Sequence, residues 1–157
     1  MQTLAARLEL KIPPVPLAAL AALAMWLLAR RVPAWRLDLP WRGTVALMLA
    51  LTGIAVVLAG VAAFRRARTT VNPMQPASAS HLVARGIYGH TRNPMYLGLL
   101  LVLAGWAWYL GNLAAMLVLP LFVAYVHRFQ ILPEERALAA SFGDDFTAYR
   151  SATRRWI

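Results

Sequence analysis

Three stretches of this chain carry no charged side chain, and they decide what it can fold into. They run from Ile12 to Ala29, from Gly43 to Phe64 and from Asn93 to Val126, and neutral His127 extends the last. Their lengths are 18, 22 and 34 residues. A helix needs about 20 mostly apolar residues to cross a bilayer. The second window is long enough for one crossing and the third for two shorter ones. Gly111-Asn112 offers the third window a natural reversal point. Pro13, Pro14 and Pro16 suit a helix start in the first. The windows predict four membrane helices, over 12–29, 43–64, 94–110 and 113–128, the last two forming a tight hairpin. The expected fold is therefore an all-α integral membrane protein in one domain, 1–157. A cleaved signal is the alternative for the first window, but Met25-Trp26-Leu27-Leu28 is too bulky for a small-residue cleavage site.

The apolar fraction is 61%, against about 45–50% in an ordinary soluble domain. A chain this short cannot hide that much apolar surface inside a soluble globule. Sixteen basic residues face six acidic ones, for a formal net charge of +10. With four crossings, twelve of the basic residues lie on the side of the two termini and four (Arg30, Arg31, Arg36, Arg42) on the other. Basic residues concentrate in cytoplasmic loops, so both termini are expected in the cytoplasm. Arg30 and Arg31 are a local exception. Because the basic residues flank apolar helices, they read as lipid-facing anchors, and nucleic acid is not an expected partner. Cysteine is absent, which excludes disulfides and thiolate metal sites, and no metal centre is expected. No Asp, Glu, Lys or Arg lies mid-span, which counts against a proton-coupled transporter or ion channel. Gly53 and Gly60, like Gly98 and Gly105, are seven apart, so each pair shares one helix face. Small residues let helices approach closely in lipid.

Chemistry concentrates in two segments. The first, from His81 to Gly98, is a polar loop running into the third helix. Pro94 opens that helix and Asn93 takes its N-cap position. Free amide donors and a positive dipole end meet there beside Arg92, which suits an anionic group such as a carboxylate. Tyr88 and Tyr96 add aromatic faces and hydroxyls. The second, from Arg128 to Leu138, places Glu134 and Glu135 side by side after Pro133, where a new helix is expected to start. Acids in a first turn favour the helix dipole, which is a sufficient structural reason for them. The functional reading is that one binds a cation such as an ammonium group. The hairpin returns Arg92 and Glu134 to one membrane face, and an anion site beside a cation site fits a zwitterionic amino-acid moiety. Leu138, Phe142, Phe146 and Tyr149 follow at helical spacing. They predict amphipathic interfacial helices that act as an anchor or as a lid.

The blocks Arg92-Asn93-Pro94-Met95-Tyr96-Leu97-Gly98, Glu134-Glu135-x-x-Leu138 and Phe142-Gly143-x-x-Phe146-x-x-Tyr149 together resemble the isoprenylcysteine carboxyl methyltransferase and phospholipid methyltransferase superfamily. These are integral-membrane enzymes that use S-adenosylmethionine. The resemblance covers about residues 80–157, the expected cofactor-binding and catalytic half; residues 12–64, the first two helices, carry no motif. It implies cofactor contacts from Val83, Gly86, Tyr88, His90, Arg92, Asn93, Pro94, Tyr96, Gly98, Glu134 and Glu135. Candidate catalytic residues are Glu134, Tyr149, Gln130 and Arg154, with His90 and His127 as further possible bases. Two positions depart from the family pattern. Asn93 stands where a His is usual, and Gln130 stands where the eukaryotic carboxyl methyltransferases resemble an Arg suited to a carboxylate. The implied acceptor is lipophilic: an isoprenylcysteine-like carboxylate, a phospholipid amine or another hydrophobic small molecule. Membrane lipids are expected partners, with oligomeric state left open. The Arg-, Ala- and Leu-rich composition points to a high-GC bacterium and hence its inner membrane. The alternative is a non-catalytic membrane protein that binds lipid or a partner.

Overall fold

The computed structural model describes residues 9–68 and 81–157. Residues 1–8, with Arg7, and the loop stretch 69–80 lie outside the described residues. Among those described, regular structure is helical, and the one β-type contact is an isolated bridge between Arg36 and Asn112. Helix α1 is Pro14–Arg31 and α2 is Arg42–Arg66. Helix α3 is Pro94–Leu110. Short α4, Leu113–Met116, leads into α5, Val118–Val126, and a π-helical turn at His127–Ile131 joins α5 to α6, Leu132–Ala152. Helices α1 and α2 each run two residues past the predicted windows, into Arg30-Arg31 and Arg65-Arg66. Basic side chains in a last turn complement the helix dipole.

Three helical stretches are long and apolar enough to cross a membrane: Pro14–Arg31, Arg42–Arg66 and the run Leu113–Ala152. The last holds far more than one crossing, and its apolar part ends where Arg128, Glu134, Glu135 and Arg136 begin, so α6 lies at the surface. The fourth expected span, α3, has 17 residues and a length of ~25 Å. It is shielded by its neighbours: α2 packs along it most extensively, with α1 and α5 also in contact. Its Tyr96, Gly98, Leu103, Gly105 and Ala107 are buried. The outer surface has the opposite character. Leu47, Leu51, Ile54 and Leu58 form an exposed stripe at helical spacing on α2, which suits contact with lipid.

The glycine seams hold α2 and α3 together. A Cβ on Gly98 would lie 2.5 Å from the Gly53 carbonyl oxygen and 2.6 Å from Val57 Cγ2. Gly105 meets Ala46 and Leu49 in the same way, and Gly60 meets Met95. Gly98→Ala should therefore force the helices apart and destabilise the protein by about 1–3 kcal/mol. Thermal unfolding in detergent would measure this. Gly43→Ala, where nothing lies within 4 Å of the new methyl, should leave the midpoint unchanged.

The predicted hairpin is present. Gly111 takes φ +55°, the left-handed conformation that lets a helix terminate and the chain turn. Asn112 then caps α4, its side-chain oxygen accepting from Ala114 N–H at 2.9 Å and Ala115 N–H at 3.3 Å. At the other end the structure departs from expectation. The chain does not stop and restart at Glu134; helix continues through the π turn, and Pro133 is the second residue of α6. Proline has no N–H to give the carbonyl four residues back. Leu10 N–H supplies the missing partner, donating to Phe129 O at 3.0 Å, and Leu132 N–H reaches back to His127 O. Helix α6 itself breaks at Gly143, with φ 50° and ψ −118°. That region is essentially closed to residues with a Cβ. The break lets the second half of α6 turn back toward the loop before α3, with Phe146 only 2% exposed.

Candidate active site

One end of the bundle gathers three segments distant in sequence: the loop from Val83 to Pro94, the bend from Arg128 to Arg136, and the C-terminal tail. The tail closes over the loop. Arg92 N–H donates to Arg154 O at 2.9 Å, Asn93 Nδ2 to Arg155 O at 2.9 Å and Thr91 Oγ1 to Arg155 O at 3.3 Å. The Tyr149 hydroxyl donates to Tyr88 O at 2.8 Å. Burial pushes the Tyr149 phenol above its ordinary range, so it stays protonated and serves as a latch between α6 and the loop. Asn93 sits at the N-cap position, but its side chain does not cap α3. Its amide is turned to the tail instead, which leaves the first turn of α3 without a side-chain cap, in a buried setting.

The two adjacent glutamates do different work. Glu135 is clamped. Arg155 donates through Nε to Oε1 at 3.0 Å and through Nη2 to Oε2 at 2.7 Å. Arg92 donates to Oε1 through Nη2 at 3.0 Å and Nε at 3.3 Å. Burial alone would raise the Glu135 carboxyl; hydrogen bonds and charge from Arg155 and then Arg92 outweigh it and hold the group below the usual carboxylate range. Arg92 Nη1 donates to the carbonyls of Arg150, at 2.9 Å, and Thr153. Its guanidinium thus ties bend, loop and tail together.

Glu134 is left available. Tyr96 OH donates to its Oε2 at 3.3 Å, and Oε1 has no partner among the described residues. The residue keeps some accessible surface, yet its carboxyl is densely surrounded by protein. That burial pushes it up to about 7, against the hydrogen bond from Tyr96 that favours the ionised form; repulsion from Glu135 adds to the rise. Neighbouring carboxyl groups pushed in opposite directions are a common arrangement at reactive sites.

The other predicted residues scatter around this centre. Gln130, four residues before Glu134, is fully buried. Its Nε2 donates to Ile12 O at 2.8 Å, and its Oε1 has no partner among the described residues. Arg128 does not bring charge to that amide; it is exposed and pairs with Glu9 at 2.8 Å. Tyr88 is buried, its ring edge-on to Phe64 of α2 at 5.2 Å. Pro94 is buried at the start of α3, and Gly98 lies one turn further in, against Gly53. Gly86 takes φ +66° in the turn Gly86–Gly89, Val83 is half-buried before it, and His90 is exposed after it. The Arg154 side chain is exposed, and His127 is half-buried in the π turn. Sequence reasoning missed Thr91, Thr153, Glu9 and above all Arg155. Arg155 counted only among the basic residues that flank the apolar helices, and no spacing rule connects it to Glu135 twenty residues earlier.

The comparisons with known proteins bear on this arrangement. A protein of Haemophilus influenzae, itself uncharacterized, is 43% identical over 63 residues, which is 40% of this chain and the whole of the relative. No solved structure matches. The pattern of the phospholipid methyltransferase family matches residues 41–145, taking in α2, α3, the hairpin, the bend and the glutamate pair. It starts earlier than the three motif blocks and so includes α2, which packs along α3. It stops short of Tyr149 and the tail. With well over half its length matched, and with an all-α membrane fold that brings the matched motifs together, the chain belongs to the phospholipid methyltransferase family of membrane methyltransferases.

Proposed function

We propose that the methyl donor is S-adenosylmethionine and that the acceptor is a lipophilic molecule reaching the site from the bilayer. The observation that carries this reading is Glu134, an ionisable carboxyl with one oxygen unpartnered among the described residues, joined through Tyr96 to the uncapped first turn of α3. Together they present a cation acceptor and an anion acceptor. The amino-acid portion of the cofactor has that pair of charges, so the residues present fit the group. Glu134 would take the ammonium, the α3 amide end the carboxylate, and Tyr96 would orient the Glu134 carboxyl. When bound, S-adenosylmethionine supplies an electrophilic methyl group on a sulfonium leaving group.

The protein's own contribution is positioning. Holding donor and acceptor in line supplies up to about 7–11 kcal/mol in favourable cases. Arg92, Glu135 and Arg155 make the frame, and the tail excludes water from above. The Gln130 amide is neutral and has a spare carbonyl oxygen. Neutral and fully buried, it supplies no positive charge for a carboxylate, which favours an acceptor such as a phospholipid amine. The cellular assignment follows the charges. Among the described residues, Leu10 packs at the bend and the C-terminal tail at the α3 start, so both meet the site end, which is also the strongly basic end. We place that end in the bacterial cytoplasm. Calorimetry on the detergent-purified protein should show saturable S-adenosylmethionine binding that S-adenosylhomocysteine competes for. Absence of binding heat for both would rule out the cofactor assignment.

A further inference from the structure

The far end of the bundle holds a second built feature. A cavity of about 220 Å³ opens there between the end of α1, the loop after it and the end of α3, lined by Trp26, Arg30, Arg36, Leu110 and Asn112 among others. Its frame is well fixed. Leu37 N–H donates to Gly111 O at 2.8 Å, Asn112 Nδ2 donates to Val32 O at 2.8 Å, and Arg36 forms its bridge with Asn112. Arg42 is occupied on the Tyr109 carbonyl.

Arg30 and Arg36 are different. Arg30 stacks its guanidinium over the Trp26 ring at 4.2 Å. Neither it nor Arg36 has an acidic partner among the described residues, whose ion pairs all lie at the opposite end, on Glu9 and Glu135. Two arginines without an ion-pair partner among the described residues thus line one small cavity. Its depth is set by an aromatic girdle: Trp35 is 48% exposed, Trp41 78% and Tyr109 53%. Exposed tryptophan and tyrosine mark headgroup level. Below the cavity, α1 presents Leu23 and Leu27, both exposed. The arrangement is a cationic notch at headgroup level with an apolar track beneath it.

We propose that this cavity binds the phosphodiester headgroup of an anionic glycerophospholipid, with Arg30 and Arg36 on the phosphate and the acyl chains along α1. Guanidinium groups suit phosphate because their donors match its oxygens in pairs. The proposal also gives a role to two of the four basic residues on the weakly basic side. Arg30 and Arg36 are on the weakly basic side because they hold a lipid there. Nothing in it depends on the methyl donor.

Native mass spectrometry on the delipidated protein in detergent tests it. Dioleoylphosphatidylglycerol should bind at least tenfold more tightly than dioleoylglycerol, which has the chains and no phosphate. Arg30→Gln with Arg36→Gln should weaken phosphatidylglycerol binding at least tenfold. Arg30→Lys with Arg36→Lys should keep most of it, and Arg31→Gln, outside the cavity, should keep all of it. Equal binding by wild type and the double Gln variant overturns the proposal. So does displacement of the lipid by equimolar glycerol 1-phosphate, which would make this a site for a soluble phosphate. If the double Gln variant does not fold, the comparison of the two lipids on wild type decides alone.

Discussion

Glu135→Ala should cost the protein about 3–5 kcal/mol and release its C-terminal tail. The Arg92–Glu135 pair is buried, with side chains 9% and 11% exposed, and the Arg155 side chain is 28% exposed. Removing one partner of a buried ion pair strands the other charge without solvent, and that is where a loss of this size originates. Arg92 is stranded in this way, while the more exposed Arg155 loses its partner but keeps solvent. The tail is joined to the body largely through Arg92, Asn93 and Glu135, so limited trypsin digestion should cut at Arg150, Arg154 and Arg155 in the variant before it cuts wild type. Glu9→Ala makes the contrast. Its partners Arg128 and Arg136 are exposed, and an exposed pair contributes about 0–1 kcal/mol. Acid should act on the same clamp. Glu135 is held below its unfolded-state value, so its contribution is present above the ordinary carboxylate range and is lost as pH falls through the folded value.

Glu134→Gln should leave the fold intact and remove cofactor binding, weakening it by more than tenfold. Wild type should also show a pH dependence that the variant lacks. With the carboxyl raised to about 7, the free protein is half protonated near neutrality. A cation binds the ionised form, so binding expels a proton. Affinity should be constant well above pH 7 and fall about tenfold per unit well below it. The stability effect has the opposite sign. The folded state holds this proton more tightly than the unfolded chain, so stability declines as pH rises from about 4.5 to about 7 and is then flat at this group. Glu134→Gln removes both trends. A variant that bound S-adenosylmethionine as wild type does, with the same pH profile, would put the ammonium site elsewhere.

The parts of this fold set by local chemistry were legible in the sequence. The charge-free windows locate α1, α2, α3 and the crossing part of the last run to within about two residues. Gly111-Asn112 announces the hairpin because a left-handed terminator followed by an N-cap is a local arrangement. The glutamate pair stands out because acids are so scarce. What the sequence hid was long-range. Pro133 signalled an interruption, but the partner that satisfies the freed Phe129 carbonyl is Leu10, far away in the chain. Asn93 occupied the cap position, yet the tail carbonyl of Arg155 competes for its amide and wins. Arg92 looked like the anion binder, and only the folded-back tail shows its guanidinium committed to Glu135, Arg150 and Thr153. The same fold-back separates the two glutamates, which one-dimensional reasoning had to treat as equivalent.

The most direct test of the central claim is transfer of labelled methyl. Membranes containing the protein are incubated with S-adenosylmethionine carrying a labelled methyl group and then extracted into organic solvent. Wild type should put label into the lipid fraction above the level of membranes lacking the protein, and Glu134→Gln should not. No label above that background, or equal label with wild type and Glu134→Gln, would contradict the account.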